Sequence, residues 1–246
     1  MQIPLPVFHY STNPCDSMIR AILFDLDNTL LDFMQFKHET ARAAAKAMTK
    51  SGVQEKEDVL YNKIFKIYEE KGIEYQHTFS DILYDSVVNP HMRERARQAA
   101  IIAYTKKKYE LIKPRPKVIQ VLSSLRSEYA LGIVTDASRQ KAWQRLILAG
   151  LDGFFYPVVT YTDTHSEKPN KEPFERALRL LKLQAEEVLY VGDNPSKDIL
   201  GAKKAGMLTC LAKYHTKTSE EEDVADYSIS EFSELQKVIG EIEASG

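Results

Sequence analysis

The segment AILFDLDNT at residues 21–29 constrains the fold more than any other part of the sequence. Its apolar residues lead directly into Asp25 and Asp27, which a single leucine separates. Burying one unpaired carboxylate is costly, and burying two side by side is more so, so a chain that carries such a pair must compensate them. A short apolar run that ends in polar residues is typical of a fully buried parallel strand. We therefore expect a central strand whose carboxyl end carries both acids.

The sequence after the connector KPRP, residues 113–116, alternates between strand-like and helix-like segments. The predicted strands are LGIVTD, FYPVVT, EEVLYVGD, MLTCLAK and YSIS. The predicted helices between and after them are PKVIQVLSSLRSEY, SRQKAWQRLILAG, PFERALRLLKL, DILGAKKAG and EFSELQKVIGEIE. This alternation predicts an α/β fold, with a doubly wound parallel sheet that has helices on both faces.

Residues 33–113 lack any strand signal and space their apolar residues at helical intervals, with interruptions at Gly52, Gly72 and Asn89-Pro90. We expect an all-helical domain here, inserted between the two parts of the α/β core at 18–32 and 114–246. The insertion carries 15 basic and 11 acidic residues and is therefore mildly basic, which favours an anionic substrate.

Composition excludes several classes of function. The formal net charge of -2 gives no general attraction to nucleic acid or to an anionic membrane, and no apolar run reaches the roughly 18 residues that span a bilayer. Residues 1–17 lack the basic start of a signal peptide, so we expect a flexible arm. Cys210 lies in an apolar run far from the other cysteine, which predicts a reducing, cytoplasmic location. The sequence does not indicate the oligomeric state.

Polar residues gather where the predicted strands end, and ligands bind at the carboxyl ends of strands in open parallel sheets. These residues are Asp25, Asp27, Thr29, Thr135, Asp136, Lys168, Asp193, Asn194 and Asp198. Asp25, Asp27 and Asp193 form an oxygen-rich cluster whose mutual repulsion Mg²⁺ would remove. The Thr135 hydroxyl, backbone N–H groups near Asp136 and the Lys168 ammonium suit a phosphate. The pattern predicts a magnesium-dependent phosphoryl-transfer site.

Four segments resemble the signature motifs of the haloacid dehalogenase superfamily of phosphohydrolases. FDLDNTLLD resembles its DxDxT motif, IVTD its second motif, KPNKEPF its lysine motif and VGDNPSKDILGAKKAG its acidic motif. The resemblance runs from Met18 to the C-terminal helix, and the four motifs stand in the family's order at predicted strand ends. It implies subfamily I, with a helical cap of the C1 type over residues 33–113.

The resemblance also implies roles for the strand-end residues. Asp25 would be the nucleophile that forms an aspartyl-phosphate, and Asp27 would act first as general acid and then as general base. Thr135 and Lys168 would hold the phosphoryl oxygens. Magnesium would be bound by Asp25, by the backbone carbonyl of Asp27 and by Asp193.

Three further residues would support this site. We expect the Thr29 hydroxyl to bond backbone N–H groups of the turn after the first strand. Asn194 follows the metal-binding acid, and Asp198 would orient the lysine or a metal-bound water, or else cap the helix that it begins.

The expected activity is hydrolysis of a small phosphorylated metabolite, and three alternatives stay open. A 2-haloacid dehalogenase would lack the second acid of the first motif, which is present here as Asp27. A phospho-accepting signalling domain would be smaller and would lack the helical insertion. A phosphomutase would pass the phosphoryl group to a sugar instead of water.

Overall fold

The computed structural model describes residues 19–214 and 224–245, so the expected arm at 1–17 lies outside the described residues. The chain divides into two compact units. One consists of the described parts of Met1–Asp32 and Lys113–Gly246, and the other is Phe33–Ile112. None of the helices in the described part of the chain combines the length and the apolar character needed to cross a membrane.

The first unit is built around a parallel sheet that has six strands within the described residues. The strands are β1 (Ala21–Phe24), β2 (Ala130–Thr135), β3 (Val158–Thr160), β4 (Val188–Gly192), β5 (Leu208–Ala212) and β6 (Tyr227–Ile229). They lie in the order β3-β2-β1-β4-β5-β6, and each neighbouring pair is parallel. The predicted doubly wound sheet is confirmed. Because β1 lies between β2 and β4, the residues that follow these three strands meet at one edge.

Ten α-helices lie in the described residues. They are α1 (Phe33–Lys50), α2 (Glu57–Lys71), α3 (Thr78–Ser86), α4 (Pro90–Leu111), α5 (Val118–Leu125), α6 (Arg139–Leu148), α7 (Tyr161–Thr164), α8 (Glu172–Leu181), α9 (Leu200–Lys204) and α10 (Leu235–Ala244). The short helix α7 was not predicted; a reciprocal pair of bonds between Thr160 and Asp163 caps its first turn. A π-helical turn, Pro195–Ile199, precedes α9.

The strands β1, β2 and β4 are buried along their whole length, which explains why they read as continuous apolar runs in the sequence. Helix α8 packs on this sheet through an apolar stripe at helical spacing, with Phe174, Ala177 and Leu181 buried. The ring of Phe174 meets that of Tyr190 edge-on, with 5.0 Å between the ring centroids. This packing fixes Tyr190, whose hydroxyl lies in the site described below.

The second unit is a helical domain formed by α1 to α4, in which α1 packs mainly against α4. Its core consists mainly of small and aliphatic side chains, among them Ala44, Met48, Leu60, Ile64 and Ala100. The interruption predicted at Asn89-Pro90 is the start of α4. There the Asn89 side chain accepts hydrogen bonds from two backbone N–H groups, and Pro90 occupies the first helical position.

Candidate active site

The centre of the candidate site is a buried lysine held between two carboxylates. The Lys168 ammonium donates to Oδ1 of Asp25 and to Oδ1 of Asp198, at 2.6 Å in each case. It also lies 3.3 Å from the backbone carbonyl of Val134 and 3.3 Å from the Tyr190 hydroxyl. The side chains of the lysine and the two acids are 4%, 8% and 2% exposed, so water takes little part in balancing these charges.

Asp25 is placed by the sheet itself. It follows β1 directly, and its backbone N–H donates to the carbonyl of Val191 at 2.9 Å, so sheet pairing continues to the acid. The tight approach of the neighbouring strand end depends on Gly192, since a Cβ there would lie 2.5 Å from Cβ and Cγ of Asp198. The glycine of the GD pair is therefore needed so that Asp198 can reach Lys168.

The electrostatics of this cluster call for additional positive charge. Burial, followed by the neighbouring acids Asp198, Asp193 and Asp27, raises the pKa of Asp25 well above its usual value against the attraction of Lys168. Burial and then Asp198 raise the pKa of Asp193 to about 7. Burial alone would lower the pKa of Lys168, but the two carboxylates outweigh it and hold that pKa well above its usual range. Lys168 alone does not balance the three carboxylates of Asp25, Asp193 and Asp198.

A divalent cation fits the donors that are present. Asp25, Asp193 and Asp198 each offer a carboxylate oxygen, and these atoms lie within 4.8 Å of one another. Carboxylate oxygens are hard ligands of the kind that Mg²⁺ prefers. This group contains two of the three predicted metal residues, Asp25 and Asp193. The predicted contact through the Asp27 carbonyl stays a prediction.

The Asp27 side chain is held by a residue that the sequence analysis did not single out. Nη1 of Arg145, on α6, donates to Oδ2 of Asp27 at 2.5 Å. The arginine side chain is 4% exposed and the aspartate side chain 22% exposed. Asp25 and Asp27 therefore contact different cations, Lys168 and Arg145 respectively.

The two residues predicted to bind phosphate after β2 have different environments. Thr135 is buried, and its Oγ1 accepts from the backbone N–H of Ala137 at 3.2 Å, which leaves the hydroxyl hydrogen available for a donated bond. The Asp136 carboxylate accepts from the backbone N–H of Lys168 at 3.0 Å and from Nζ of Lys197 at 3.1 Å. The Asp136 side chain thus holds the lysine loop in place.

The residues predicted to support the site divide between the turn after β1 and the turn after β4. Within the described residues the buried Thr29 hydroxyl has no hydrogen-bond partner, so the predicted bond to a backbone N–H is wrong. Asn194 caps the π-helical turn, since its Oδ1 accepts from the backbone N–H of Lys197 at 3.0 Å. Asp198 is not the N-cap of α9, since that position is Ile199. The Asp198 carboxylate binds Lys168, the Tyr190 hydroxyl and the backbone N–H of Asn194.

The family model for haloacid dehalogenase-like hydrolases matches residues 22–212. The chain belongs to this family. This confirms the family that the four motifs indicated, and the match covers all the strand-end residues of the hydrolase described above.

Two relatives and one solved structure illustrate the likeness. A glyceraldehyde 3-phosphate phosphatase of Methanopyrus kandleri is 36% identical over 92% of this hydrolase and 99% of its own length. A protein of the same name from Methanocaldococcus jannaschii is 34% identical over 90% and 97%. The structure of a HAD phosphatase from Thermococcus onnurineus has a TM-score of 0.64 and 25% identity, over 90% of the hydrolase and 98% of that chain.

Sequence reasoning missed two residues of the site, Tyr190 and Arg145. Tyr190 is a fully buried strand residue whose hydroxyl lies 2.9 Å from Oδ1 of Asp198. A tyrosine among aliphatic residues of a buried strand needs a partner for its hydroxyl, and that was an available signal. Arg145 occupies the same helical face as Ala142, Leu146 and Ala149, which are buried, so its charge interrupts an apolar stripe.

Proposed function

We propose that this hydrolase is a Mg²⁺-dependent phosphatase of small phosphorylated metabolites, and that a triose phosphate is the first substrate to test. The observation that carries the proposal is the placement of Asp25, a buried carboxylate at a strand end, between Lys168 and a cluster of acids. The relatives named glyceraldehyde 3-phosphate phosphatases, which align with nearly the whole chain, support the substrate class.

The proposed reaction has two displacements at phosphorus. In the first, a carboxylate oxygen of Asp25 forms a bond to phosphorus as the ester P–O bond breaks, and Asp27 gives a proton to the departing alkoxide. In the second, Asp27 takes a proton from water as the water oxygen bonds to phosphorus. The acyl-phosphate P–O bond then breaks, which releases inorganic phosphate and returns Asp25 to its carboxylate form.

Three other residues would bind the phosphoryl group. The Thr135 hydroxyl and the Lys168 ammonium would donate to its oxygens, in a buried setting that strengthens each interaction. Lys168 also compensates the charge of Asp25 before substrate arrives. Magnesium, held by Asp25 and Asp193, would neutralise the charge of the phosphoryl oxygens.

We further propose that the helical unit, Phe33–Ile112, serves as the cap that selects the part of the substrate beyond the phosphate. Its sequence is inserted directly after the first motif, and its net positive charge favours anionic metabolites. Cys210 is a buried free thiol, and this supports a location in the reducing cytoplasm.

The experiment is a panel of phosphate monoesters assayed with MgCl₂ and with EDTA. The panel holds glyceraldehyde 3-phosphate, phosphoglycolate, hexose phosphates and nucleoside monophosphates. We expect phosphate release that requires Mg²⁺ and that Asp25→Asn abolishes, whereas Asp152→Asn, at an exposed acid, leaves it unchanged. Retained phosphatase activity in Asp25→Asn would refute the assignment of Asp25 as the nucleophile.

The same preparation separates the alternatives. Halide release from 2-haloacids in EDTA, without phosphatase activity, would indicate a dehalogenase. An isomerised sugar phosphate would indicate a mutase, and a lasting acyl-phosphate with no released phosphate would indicate a signalling domain.

A further inference from the structure

Arg145 is a buried charge in a position where an apolar side chain would pack well. Helix α6 buries Ala142 and Leu146 on the same face, and Arg145 itself is 3% exposed. A buried guanidinium is costly unless it is paired, and exchanging a buried ion pair for apolar residues of similar volume often leaves stability unchanged or raised. Packing alone therefore gives no reason for an arginine here, and the reason must be sought in its partner.

One partner of Arg145 is Asp27, the proposed proton-transfer residue. Nη1 of Arg145 donates to Oδ2 of Asp27 at 2.5 Å, and this bond joins α6 to the turn after β1. The Asp27 side chain is 22% exposed and that of Asp25 is 8% exposed, so substrate and water can reach part of Asp27, although its Oδ1 is buried. The bond from the guanidinium fixes the orientation of the Asp27 carboxylate.

The ion pair with Arg145 also keeps Asp27 away from Lys168, the cation that Asp25 contacts. Lys168 holds Asp25 and Asp198 together at the strand ends. If Arg145 were absent, the Asp27 carboxylate would be attracted to Lys168 or to a cation bound in the acidic cluster. It would then be turned away from the leaving group.

We propose that Arg145 is a positioning residue for proton transfer by Asp27. It holds Oδ2 and so fixes the orientation in which the Asp27 carboxylate gives a proton to the leaving oxygen as the ester P–O bond breaks and takes one from water in the second displacement. The inference rests on the proposed phosphatase function, and it adds Arg145 to the residues that take part in the reaction.

The test compares two esters by kcat/KM, which reports the steps through release of the alcohol. Glyceraldehyde 3-phosphate has an alkoxide leaving group that needs a proton, whereas p-nitrophenyl phosphate has a phenolate that leaves without one. We expect Arg145→Met to lower kcat/KM on the order of 100-fold for the alkyl ester and less than about fivefold for the aryl ester. Arg145→Lys retains a donor for Oδ2. Its kcat/KM for the alkyl ester should lie within about tenfold of the wild-type value.

A double variant shows whether Arg145 acts through Asp27. In an Asp27→Asn background, adding Arg145→Met should change kcat/KM for the alkyl ester by less than about twofold. The reason is that Arg145 acts through the Asp27 carboxylate, which the first substitution has already removed. The control is Arg179→Met, which removes an arginine from α8 whose side chain is 51% exposed. This variant should leave kcat/KM unchanged for both esters.

Equal losses on both esters, or losses that add in the double variant, overturn the inference. If Arg145→Met fails to fold, Arg145→Gln carries the same expectations for the ratio of the two esters and for the double variant. Wild-type protein that hydrolyses neither ester overturns the proposed function and this inference with it. Wild-type activity with an unchanged ester ratio in the variants overturns the inference alone.

Discussion

Replacing Lys168 with methionine should destabilise the protein strongly, because it leaves Asp25 and Asp198 buried without their cation. Both ion pairs measure 2.6 Å, and all three side chains are less than a tenth exposed. Removing one partner of a buried ion pair typically costs about 3–5 kcal/mol. At about 2–4 °C per kcal/mol for a chain of this size, the unfolding midpoint should fall by roughly 6–20 °C.

The assay is thermal and urea unfolding in EDTA, so that bound metal does not compensate the two buried acids that have lost Lys168. The matched control is Lys197→Met. Nζ of Lys197 lies 3.1 Å from Asp136, but the lysine side chain is 45% exposed. We expect its loss to cost less than about 1 kcal/mol. A loss below about 1 kcal/mol for Lys168→Met, or equal losses for the two variants, would show that burial of the acids is not what makes the lysine necessary.

Three further predictions concern the metal, the pH dependence of stability and the helical unit. At 100 times its Kd, Mg²⁺ should add about 2.7 kcal/mol to the unfolding free energy, and Asp193→Asn should remove most of that gain; equal stabilisation of both proteins would place the ion elsewhere. Burial raises the pKa of Asp226, but hydrogen bonds from Thr209 and Lys203 outweigh burial and hold this pKa below its usual value. Asp226→Asn should therefore destabilise the protein at pH 7, and the difference in unfolding free energy from wild type should shrink below about pH 4. A difference in urea midpoints that does not change with pH would contradict this. In the helical unit, Lys37→Met removes the ammonium that donates to the part-buried Ile73 carbonyl and Tyr104 hydroxyl and should cost about 1–3 kcal/mol by urea unfolding, whereas a neutral result would mean that water replaces the ammonium.

The sequence was sufficient to predict the strand-end residues because their position depends on local pattern alone. An apolar run that stops at Asp25 identifies both a buried strand and the end of that strand, and the same holds for Thr135 and Asp193. Parallel pairing then brings the ends to one edge. The contact between Lys168 and Asp25 follows from the same rule together with the family resemblance.

The remaining contacts depend on which way a side chain faces, and that is settled by packing. The pattern of α6 did not show that Arg145 would turn inward to meet Asp27, because an arginine can extend from a helix in several directions. Asp198 lies at the start of a predicted helix, where an aspartate is a good cap, but Gly192 leaves the space that lets it reach Lys168. The hydroxyl of Thr29 could not be placed from its turn-forming neighbours alone.

The most direct test of the central claim is the detection of a covalent intermediate on Asp25. Protein in Mg²⁺ and excess glyceraldehyde 3-phosphate is quenched in acid within milliseconds, digested and mapped by mass spectrometry. We predict phosphate on the peptide that contains Asp25, absent from Asp25→Asn and removed by hydroxylamine as expected of an acyl phosphate. Sustained turnover with no phosphorylated peptide, or with phosphate on another residue, would contradict the account.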